Sequence, residues 1–210
     1  MIIAIDGPAA AGKGALAKAL ALKLDFAYLD TGALYRAVAL GVLKKGGDFE
    51  DVGLAEDVAL NLDLNILNDP DLRLEETGES ASLVAPIPEV RSALLAFQRS
   101  FGKNPPNNKR GAIIDGRDIG TVVIPNADLK LFVTASPKTR AERRFQEMIA
   151  RGKQVKFEDI LENVKKRDAR DSGRKTSPLK KAEDALLLDT TKLDIDGVLQ
   201  MALNAYGQIK

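Results

Sequence analysis

A glycine-rich stretch near the start of the chain constrains the fold more than any other feature. Ile2 to Ile5 form a short apolar run, typical of a buried strand, which ends at Asp6. Gly7-Pro8-Ala9-Ala10-Ala11-Gly12-Lys13-Gly14 follows, and strong helix formers occupy positions 15–24. A strand, a glycine-rich loop and a helix in this order predict a phosphate-binding loop, in which backbone N–H groups and the positive end of the helix surround an anion.

The residue after the loop lysine departs from the usual pattern. Lys13 is predicted to reach the β- and γ-phosphates of a nucleotide, and Ser or Thr usually stands next to such a lysine. Here Gly14 and Ala15 replace both of the hydroxyl residues that related loops carry. The loop is therefore predicted to hold phosphate mainly through its backbone and Lys13.

The composition limits the other possibilities. A chain of 210 residues, 45% hydrophobic, is long enough for one domain with a full core. Lys and Arg number 31 and Asp and Glu 30, which favours neither a nucleic-acid coat nor a membrane surface. The absence of Cys and His excludes thiol chemistry, His-based acid–base chemistry and Cys/His zinc sites, so a metal would need oxygen ligands. With no signal peptide or apolar run of membrane-spanning length, we expect a cytoplasmic protein.

Apolar runs and helical periodicity alternate along the chain. Four further strands are predicted, at 26–29, 112–115, 129–134 and 185–188. Helices are predicted at 15–24, 33–44, 53–62, 89–101, 138–150, 157–170 and 195–206. Residues 63–88 are predicted to form an irregular polar surface lobe, and 102–110 a loop. The pattern predicts an α/β fold with a five-stranded, mostly parallel sheet flanked by helices. Asp115, at a strand end, is the residue expected near a bound Mg²⁺.

Positive charge is concentrated in the last third of the chain. Residues 140–181 contain 14 Lys and Arg against 7 Asp and Glu, a local net charge of +7. Arg140, Arg144 and Arg151 fall near one helix face, and Arg167, Asp171 and Arg174 share another if that helix continues far enough. Arg suits bidentate contact with phosphate, so this region is interpreted as an arginine-rich lid over phosphates, with a solvated surface as the alternative.

Four segments beyond the loop carry a resemblance to a known family. They are Asp30-Thr31-Gly32-Ala33-Leu34-Tyr35-Arg36, the stretch from Ala81-Ser82 to Arg91 with Gln98-Arg99, Asp115-Gly116-Arg117-Asp118-Ile119-Gly120-Thr121-Val122-Val123, and Arg167-Asp168-Ala169-Arg170-Asp171 with Arg174. In this combination the chain resembles the bacterial cytidylate kinases, P-loop nucleoside monophosphate kinases, nearly from end to end. The lack of a β-hairpin extension in the 63–88 lobe and Ala10, where many members have Gly, depart from the family.

The resemblance implies an activity and a set of site residues. The activity is transfer of the γ-phosphoryl group of ATP to CMP or dCMP with Mg²⁺, in pyrimidine nucleotide metabolism. Gly7, Pro8, Ala9, Ala10, Ala11, Gly12, Lys13, Gly14 and Ala15 would bind ATP. Thr31, Arg36, Arg117 and Arg174 would bind the acceptor phosphate; Tyr35, Arg167 and Asp171 would lie near its sugar; Ser82, Arg91 and Asp118 would bind cytosine. Lys13, Arg117, Arg144 and Arg174 would be the catalytic residues. Mg²⁺ would be held by ATP phosphates and water, without a direct protein ligand.

The resemblance also implies an organisation of the chain. A single P-loop kinase domain would have its core at 1–62, 89–140 and 182–210, a small acceptor-binding lobe at 63–88 and an arginine-rich lid at 141–181. The expected partners are nucleotides only, with no nucleic acid and no membrane, and the expected state is a monomer.

A purely structural role remains the alternative for several of these residues. Arg91 could be a surface arginine, Thr31 could cap the following helix, and Asp118 could pair with its neighbour Arg117. Asp30 is interpreted as structural.

Three other functions compete with this interpretation. A uridylate or adenylate kinase would share everything except the Ser82, Arg91 and Asp118 set. A GTP-driven switch is suggested by Thr190-Thr191-Lys192-Leu193-Asp194, but the D-x-x-G motif it needs occurs only at 194–197, overlapping that stretch. An ATP-dependent nucleic-acid-binding protein would use the charge of 140–181 and bind in a salt-sensitive way.

Overall fold

The computed structural model describes residues 1–209, and its centre is a parallel sheet of five strands. The strands are β1 (Ile2–Asp6), β2 (Ala27–Asp30), β3 (Ala112–Gly116), β4 (Leu129–Thr134) and β5 (Leu186–Asp189). They lie in the order β2-β3-β1-β4-β5, and every neighbouring pair is parallel. The predicted α/β fold with a five-stranded parallel sheet is confirmed.

Helices cover both faces of this sheet. They are α1 (Lys13–Leu24), α2 (Thr31–Lys44), α3 (Val52–Leu60), α4 (Glu75–Val84), α5 (Pro88–Lys103), α6 (Pro137–Ala150), α7 (Phe157–Gly173) and α8 (Ile195–Gln208). Apolar residues of α1 and α8 form a core with one face of the sheet, and those of α2 to α5 form a second core with the other face. None of the helices within 1–209 is long and apolar enough to cross a membrane.

The register of the central strands gathers acidic residues at one edge of the sheet. Asp6 of β1 pairs with Gly116 of β3, and Asp30 of β2 pairs with Asp115 of β3. Parallel strands end at the same edge, so these carboxylates lie beside the loop that follows β1. Asp6 accepts hydrogen bonds from the N–H groups of Ile119 and Gly120, both at 2.8 Å. It thereby anchors the turn that carries the candidate residues after β3.

The prediction that 63–88 is irregular is wrong. Two 3-10 turns, at Leu64–Asn68 and Pro70–Arg73, lead into α4, which lies against α2. The buried face of α4 is made of small residues, including Gly78, Ala81 and Ser82. Small side chains allow two helices to approach closely, but they produce no large-apolar periodicity, so the sequence pattern did not reveal this helix.

Helices α6 and α7 form a separate hairpin with its own apolar cluster, which contains Ala141, Met148, Ile160 and Val164. Helix α7 continues beyond its predicted end to Gly173. Arg167 and Asp171 therefore lie on one continuous helix, and Arg174 is the residue that ends it. Helix α5 also continues two residues further than predicted, to Lys103.

Candidate active site

The glycine-rich loop connects β1 to α1 and packs closely on the sheet. A Cβ atom at Gly7, which has a φ of 147°, would lie 1.9 Å from the carbonyl oxygen of Val133 in β4. Only glycine can therefore occupy this position without moving β4. Ala10 has a φ of 59°, the left-handed region, although it carries a side chain. The loop thus has the tight geometry of a phosphate-binding loop.

Lys13 lies at the centre of this loop and is buried. Its Nζ atom donates to the carbonyl oxygen of Pro8 at 2.9 Å. Burial and the positive charge of Arg117 lower the pKa of Lys13 to about 7. A phosphate group in the loop would supply negative charge beside this ammonium, and would raise its pKa again.

Asp115 lies beside the start of α1, buried at the end of β3. Burial and the charge of Asp30 raise the pKa of its carboxyl to about 7. Its Oδ1 atom has no hydrogen-bond partner, nor has the buried hydroxyl of Tyr28. Among residues 1–209 no group of three or more Asp or Glu could hold a metal by itself.

Thr31 is engaged differently from the expectation. Its hydroxyl donates to the backbone carbonyl of Asp115 at 2.7 Å, so its single proton is not free for a phosphate oxygen in this arrangement. The helix cap is Asp30, whose side chain accepts from the N–H of Ala33 at 3.1 Å. Asp30 therefore has the structural role that was expected of it, and the alternative of a Thr31 cap is wrong.

An arginine cluster lies across the site from the loop. Arg117 donates from Nε to Asp171 at 3.0 Å, and Arg174 pairs with the same carboxylate. Burial and the neighbouring charges of Arg117, Arg36 and Arg174 lower the pKa of Arg167 to about 10. The buried Nε atoms of Arg167 and Arg174 have no hydrogen-bond partner. So many guanidinium groups around one buried carboxylate form a site for anions.

Arg36 and Arg144 extend this cluster toward the helical hairpin. Burial lowers the pKa of Arg36, and the charges of Arg144 and Arg117 lower it further. Arg36 also donates to the carbonyl oxygens of Leu72 and Leu74 at 3.2 Å each. Arg144 is half-exposed and faces Glu147 at 3.4 Å. The structure therefore brings together the arginines that the family resemblance assigned to phosphate.

A second polar group lies beside the arginine cluster. The guanidinium of Arg91 in α5 is paired with Asp118, and its centre lies 5.8 Å from the ring centre of Tyr35. Two of the structural alternatives are therefore wrong. Arg91 is not a surface arginine, and Asp118 pairs with Arg91 rather than with Arg117. Tyr35, which the resemblance assigned to the sugar, lies against Arg91 and so borders the residues assigned to cytosine.

Ser82 of α4 reaches the hairpin. Its hydroxyl donates to the carbonyl oxygen of Glu79 at 2.6 Å and accepts a hydrogen bond from Arg170 of α7. Arg170 was not among the candidate residues, because its position in a highly charged helix did not distinguish it from its neighbours.

Two more arginines fasten helix α6 to the glycine-rich loop. Buried Arg140 is paired with Asp168 and donates to the carbonyl oxygen of Ala9 at 3.2 Å. Arg143 donates to the hydroxyl and the carbonyl oxygen of Thr190 at 2.9 and 2.6 Å, and the Thr190 hydroxyl donates to Ala11 at 3.0 Å. Sequence reasoning missed Arg143, and it named Thr190 only as part of the GTP-switch motif; the position of Thr190 just after a parallel strand was the one available signal for its contact with the loop.

These contacts bear on two competing functions. Arg140 and Arg174 are turned inward and paired with carboxylates, but every lysine of 140–181 is exposed, so the nucleic-acid alternative keeps its exposed basic surface. The motif that suggested a GTP-driven switch has a structural role, because Asp194 caps α8 by accepting from the N–H of Gly197 at 2.8 Å.

A glycine-rich loop at the end of the central strand, opposite an arginine cluster, defines a P-loop kinase. A family model described as cytidylate kinase matches residues 3–208. The cytidylate kinase of Rhodospirillum rubrum is 52% identical over 204 residues, covering 97% of this chain and 96% of that protein. The cytidylate kinase of Rhodopseudomonas palustris is 51% identical over 210 residues, covering 100% of this chain and 97% of that protein. The chain belongs to the cytidylate kinase family, as the resemblance predicted.

A solved structure is similar in fold. The crystal structure of an uncharacterized protein from Eubacterium ventriosum superposes with a TM-score of 0.56 at 17% identity, covering 97% of this chain and 96% of that one. At this identity the similarity concerns the fold alone.

Proposed function

We propose that the protein transfers the γ-phosphoryl group of ATP to CMP or dCMP and releases ADP with CDP or dCDP. The observation that carries this proposal is the buried pair of Arg91 and Asp118, whose charges act on Arg174 of the arginine cluster. Cytosine presents an N4 amino donor next to the N3 and O2 acceptors. A carboxylate such as Asp118 accepts from N4, and a guanidinium such as Arg91 donates to the acceptors. Family membership supports the same substrate.

The arginine cluster fits the acceptor phosphate and the group in transfer. We assign Arg36, Arg117 and Arg174 to the phosphate of CMP, and Arg167 with Asp171 to its sugar. Arg144, on the helical hairpin, would offset the charge of the transferred group. Several arginines are needed because phosphoryl transfer between two nucleotides brings many negative charges together.

The transfer needs no general base. The attacking atom is a phosphate oxygen of CMP, which is already ionised at neutral pH. It forms a bond to the γ-phosphorus of ATP while the bond from that phosphorus to the bridging oxygen breaks, and ADP leaves with the electron pair. Lys13 would hold the β- and γ-phosphates, and the backbone of 7–15 would hold the rest of the triphosphate.

The residues near Asp115 fit a magnesium ion bound through water. The Oδ1 atom of Asp115 is buried beside Lys13 and has no partner, which suits a hydrogen bond from a metal-bound water. The ion, carried by the phosphates of ATP, would neutralise charge that develops during transfer. Asp115 would orient its water shell rather than ligate it directly.

Two segments would exclude water from this reaction. We assign 141–181 as the lid and 63–88 as the acceptor lobe, because each contributes polar groups to the site, among them Arg174 and Ser82. Closure would prevent water from taking the phosphoryl group. The proposal includes a monomer, since one chain supplies every group that the reaction requires, and it keeps the cytoplasmic location expected from the sequence.

Product analysis tests the proposal. The protein is incubated with ATP, Mg²⁺ and CMP, and the nucleotides are separated by anion-exchange chromatography. We expect ADP and CDP in equal amounts, and no ADP when CMP is left out. ADP without CDP would indicate hydrolysis, and the absence of both would reject the kinase assignment.

A further inference from the structure

The loop lysine is followed by Gly14 and Ala15, so the loop itself offers no hydroxyl beside the phosphates. The structure has a hydroxyl in that place from another element. A Cβ atom built on Gly14 would lie 3.6 Å from the Tyr28 hydroxyl oxygen and 3.7 Å from Oδ2 of Asp115. The hydroxyl of Tyr28, in β2, therefore borders the space that a side chain at Gly14 would occupy.

The sheet register explains how Tyr28 arrives there. Tyr28 pairs with Ile113, and Asp30 pairs with Asp115, two residues further along each strand. Alternate residues of a strand point to the same face, so Tyr28, Ile113 and Asp115 all face α1. The Tyr28 ring packs against the apolar core of α1 and β3, and its hydroxyl points beyond that core toward the helix start.

Two polar atoms at this place lack partners. The hydroxyl of Tyr28 and Oδ1 of Asp115 are both buried with no partner at full hydrogen-bond distance, although buried polar groups are nearly always bonded. The Asp115 carboxylate is the polar group that faces the hydroxyl, and it lies close enough to raise the pKa of Tyr28. Asp115 itself is only 6% exposed. Burial and the charge of Asp115 raise the pKa of Tyr28 further above neutrality, so the hydroxyl keeps its proton and can both donate and accept.

We propose that Tyr28 replaces the missing loop hydroxyl and acts as a positioning residue for the magnesium ion carried by the donor nucleotide. Its hydroxyl would accept a hydrogen bond from a metal-bound water and donate to a neighbouring oxygen, while Asp115 accepts from a second water. Mg²⁺ keeps several waters in such sites, which makes these outer contacts its main link to the protein. This inference rests on the proposed function, because it assumes that the loop binds ATP.

A purely structural role for Tyr28 makes a different prediction. If the tyrosine only fills the core, Tyr28→Phe keeps the ring and should alter neither nucleotide binding nor its dependence on metal. If the hydroxyl positions the metal-bound waters, Tyr28→Phe weakens ATP binding with Mg²⁺ and leaves binding in EDTA nearly unchanged. The ratio of the two dissociation constants, here called the magnesium benefit, separates the two roles.

Calorimetric titration with ATP, with Mg²⁺ and with EDTA, measures that ratio in the absence of CMP. We expect the magnesium benefit to fall about fivefold in Tyr28→Phe, as for one lost hydrogen bond. Tyr206→Phe is the matched control, since Tyr206 packs edge-on against Phe26 at 6.0 Å on helix α8 and should keep the wild-type ratio. An unchanged magnesium benefit in Tyr28→Phe would overturn the inference.

A hydroxyl returned to the loop gives a second, independent test. In Tyr28→Phe, the further change Gly14→Ser adds a hydroxyl where that of tyrosine was removed, and should recover most of the magnesium benefit. In the wild-type background the same serine lies against a Tyr28 hydroxyl that already serves the metal-bound waters, so it should add little to the magnesium benefit. If serine has the same effect in both backgrounds, the two hydroxyls do not share a site and the inference is wrong.

These outcomes are distinguishable from a failure of the proposed function. A wild-type protein that binds no ATP, or that makes no CDP, contradicts the kinase proposal itself. If the protein makes CDP but its magnesium benefit is the same in Tyr28→Phe as in the wild type, only the role of the tyrosine is contradicted.

Discussion

The guanidinium of Arg91 and the carboxylate of Asp118, 27 positions apart in the chain, are paired in the site with side-chain exposures of only 11% and 7%. Helix α5 supplies the arginine, and the turn after β3 supplies the aspartate. A buried ion pair of this kind is costly to form and adds little to stability by itself. We assign the pair to cytosine because it lies beside the arginine cluster.

Replacement of Asp118 by asparagine should relax base selectivity. The amide keeps the shape of the side chain but can also donate to O4 of uracil, which the carboxylate cannot do. A mismatched buried polar group costs about 1–3 kcal/mol, so kcat/KM for CMP relative to UMP should fall roughly 5- to 150-fold in Asp118→Asn. Parallel kinetics with both acceptors measure it, and exposed Asp57→Asn is the control. An unchanged ratio would exclude Asp118 from base recognition.

Arg174→Ala should depress turnover far more than stability. Its guanidinium is buried, and the Nε atom has no hydrogen-bond partner, as expected for a group that binds a phosphate. The loss should resemble that of other transition-state donors, about 2–4 kcal/mol in kcat. Stability should change little, because Asp171 keeps its bond to Arg117 and the crowded cluster loses one positive charge.

Steady-state kinetics and urea unfolding of Arg174→Ala together decide this point. Arg151→Ala, at the exposed end of α6, is the matched control and should leave kcat near the wild-type value. Near-normal turnover of Arg174→Ala would show that Arg174 has only a structural role.

The two side chains at the start of α1 should respond in opposite ways. Lys13→Ala should nearly abolish turnover, because the loop loses its only ammonium group. Ala15→Thr should preserve activity and tighten ATP binding modestly, since the Ala15 side chain is exposed and leaves room for a hydroxyl. A hydrogen bond to a charged group contributes about 1.5–3 kcal/mol, and less where water already substitutes. ATP affinities with and without Mg²⁺ measure both effects; weaker binding by Ala15→Thr would refute this account of the loop.

Ala10→Gly should stabilise the unliganded protein. A left-handed φ of 59° costs an L-residue about 1–2 kcal/mol, whereas glycine adopts it freely. The greater entropy of glycine in the unfolded chain offsets part of the gain, which leaves a net increase in unfolding free energy of about 0.5–1 kcal/mol. Urea unfolding measures it, and Ala15→Gly, inside α1, should destabilise by a similar amount. A less stable Ala10→Gly would mean that the side chain of Ala10 makes contacts that outweigh its strain.

The sequence predicted the features that depend on strong local signals. Each strand was visible as an apolar run, and parallel pairing then placed Asp6, Asp30 and Asp115 at one edge of the sheet. The arginines assigned to phosphate by the family resemblance also converge, since Arg117 and Arg174 share the carboxylate of Asp171 and the charge of Arg117 helps to lower the pKa of Arg36.

Features that depend on packing between distant elements were not predictable. Helix α4 buries small residues against α2 and therefore has no apolar stripe. The Thr31 hydroxyl donates to the carbonyl oxygen of Asp115 in another strand, and Arg143 donates to Thr190, 47 positions away. The proximity of Tyr28 to Gly14 follows from the strand register, which no local pattern specifies.

The choice of acceptor tests the central claim most directly. ADP production is measured with ATP and Mg²⁺ and with CMP, dCMP, UMP or AMP in turn, at matched concentrations. The account predicts that CMP and dCMP are the best acceptors and that UMP is poorer by roughly 5- to 150-fold, the cost of a buried polar mismatch at Asp118. Turnover of UMP or AMP equal to or faster than that of CMP would contradict it.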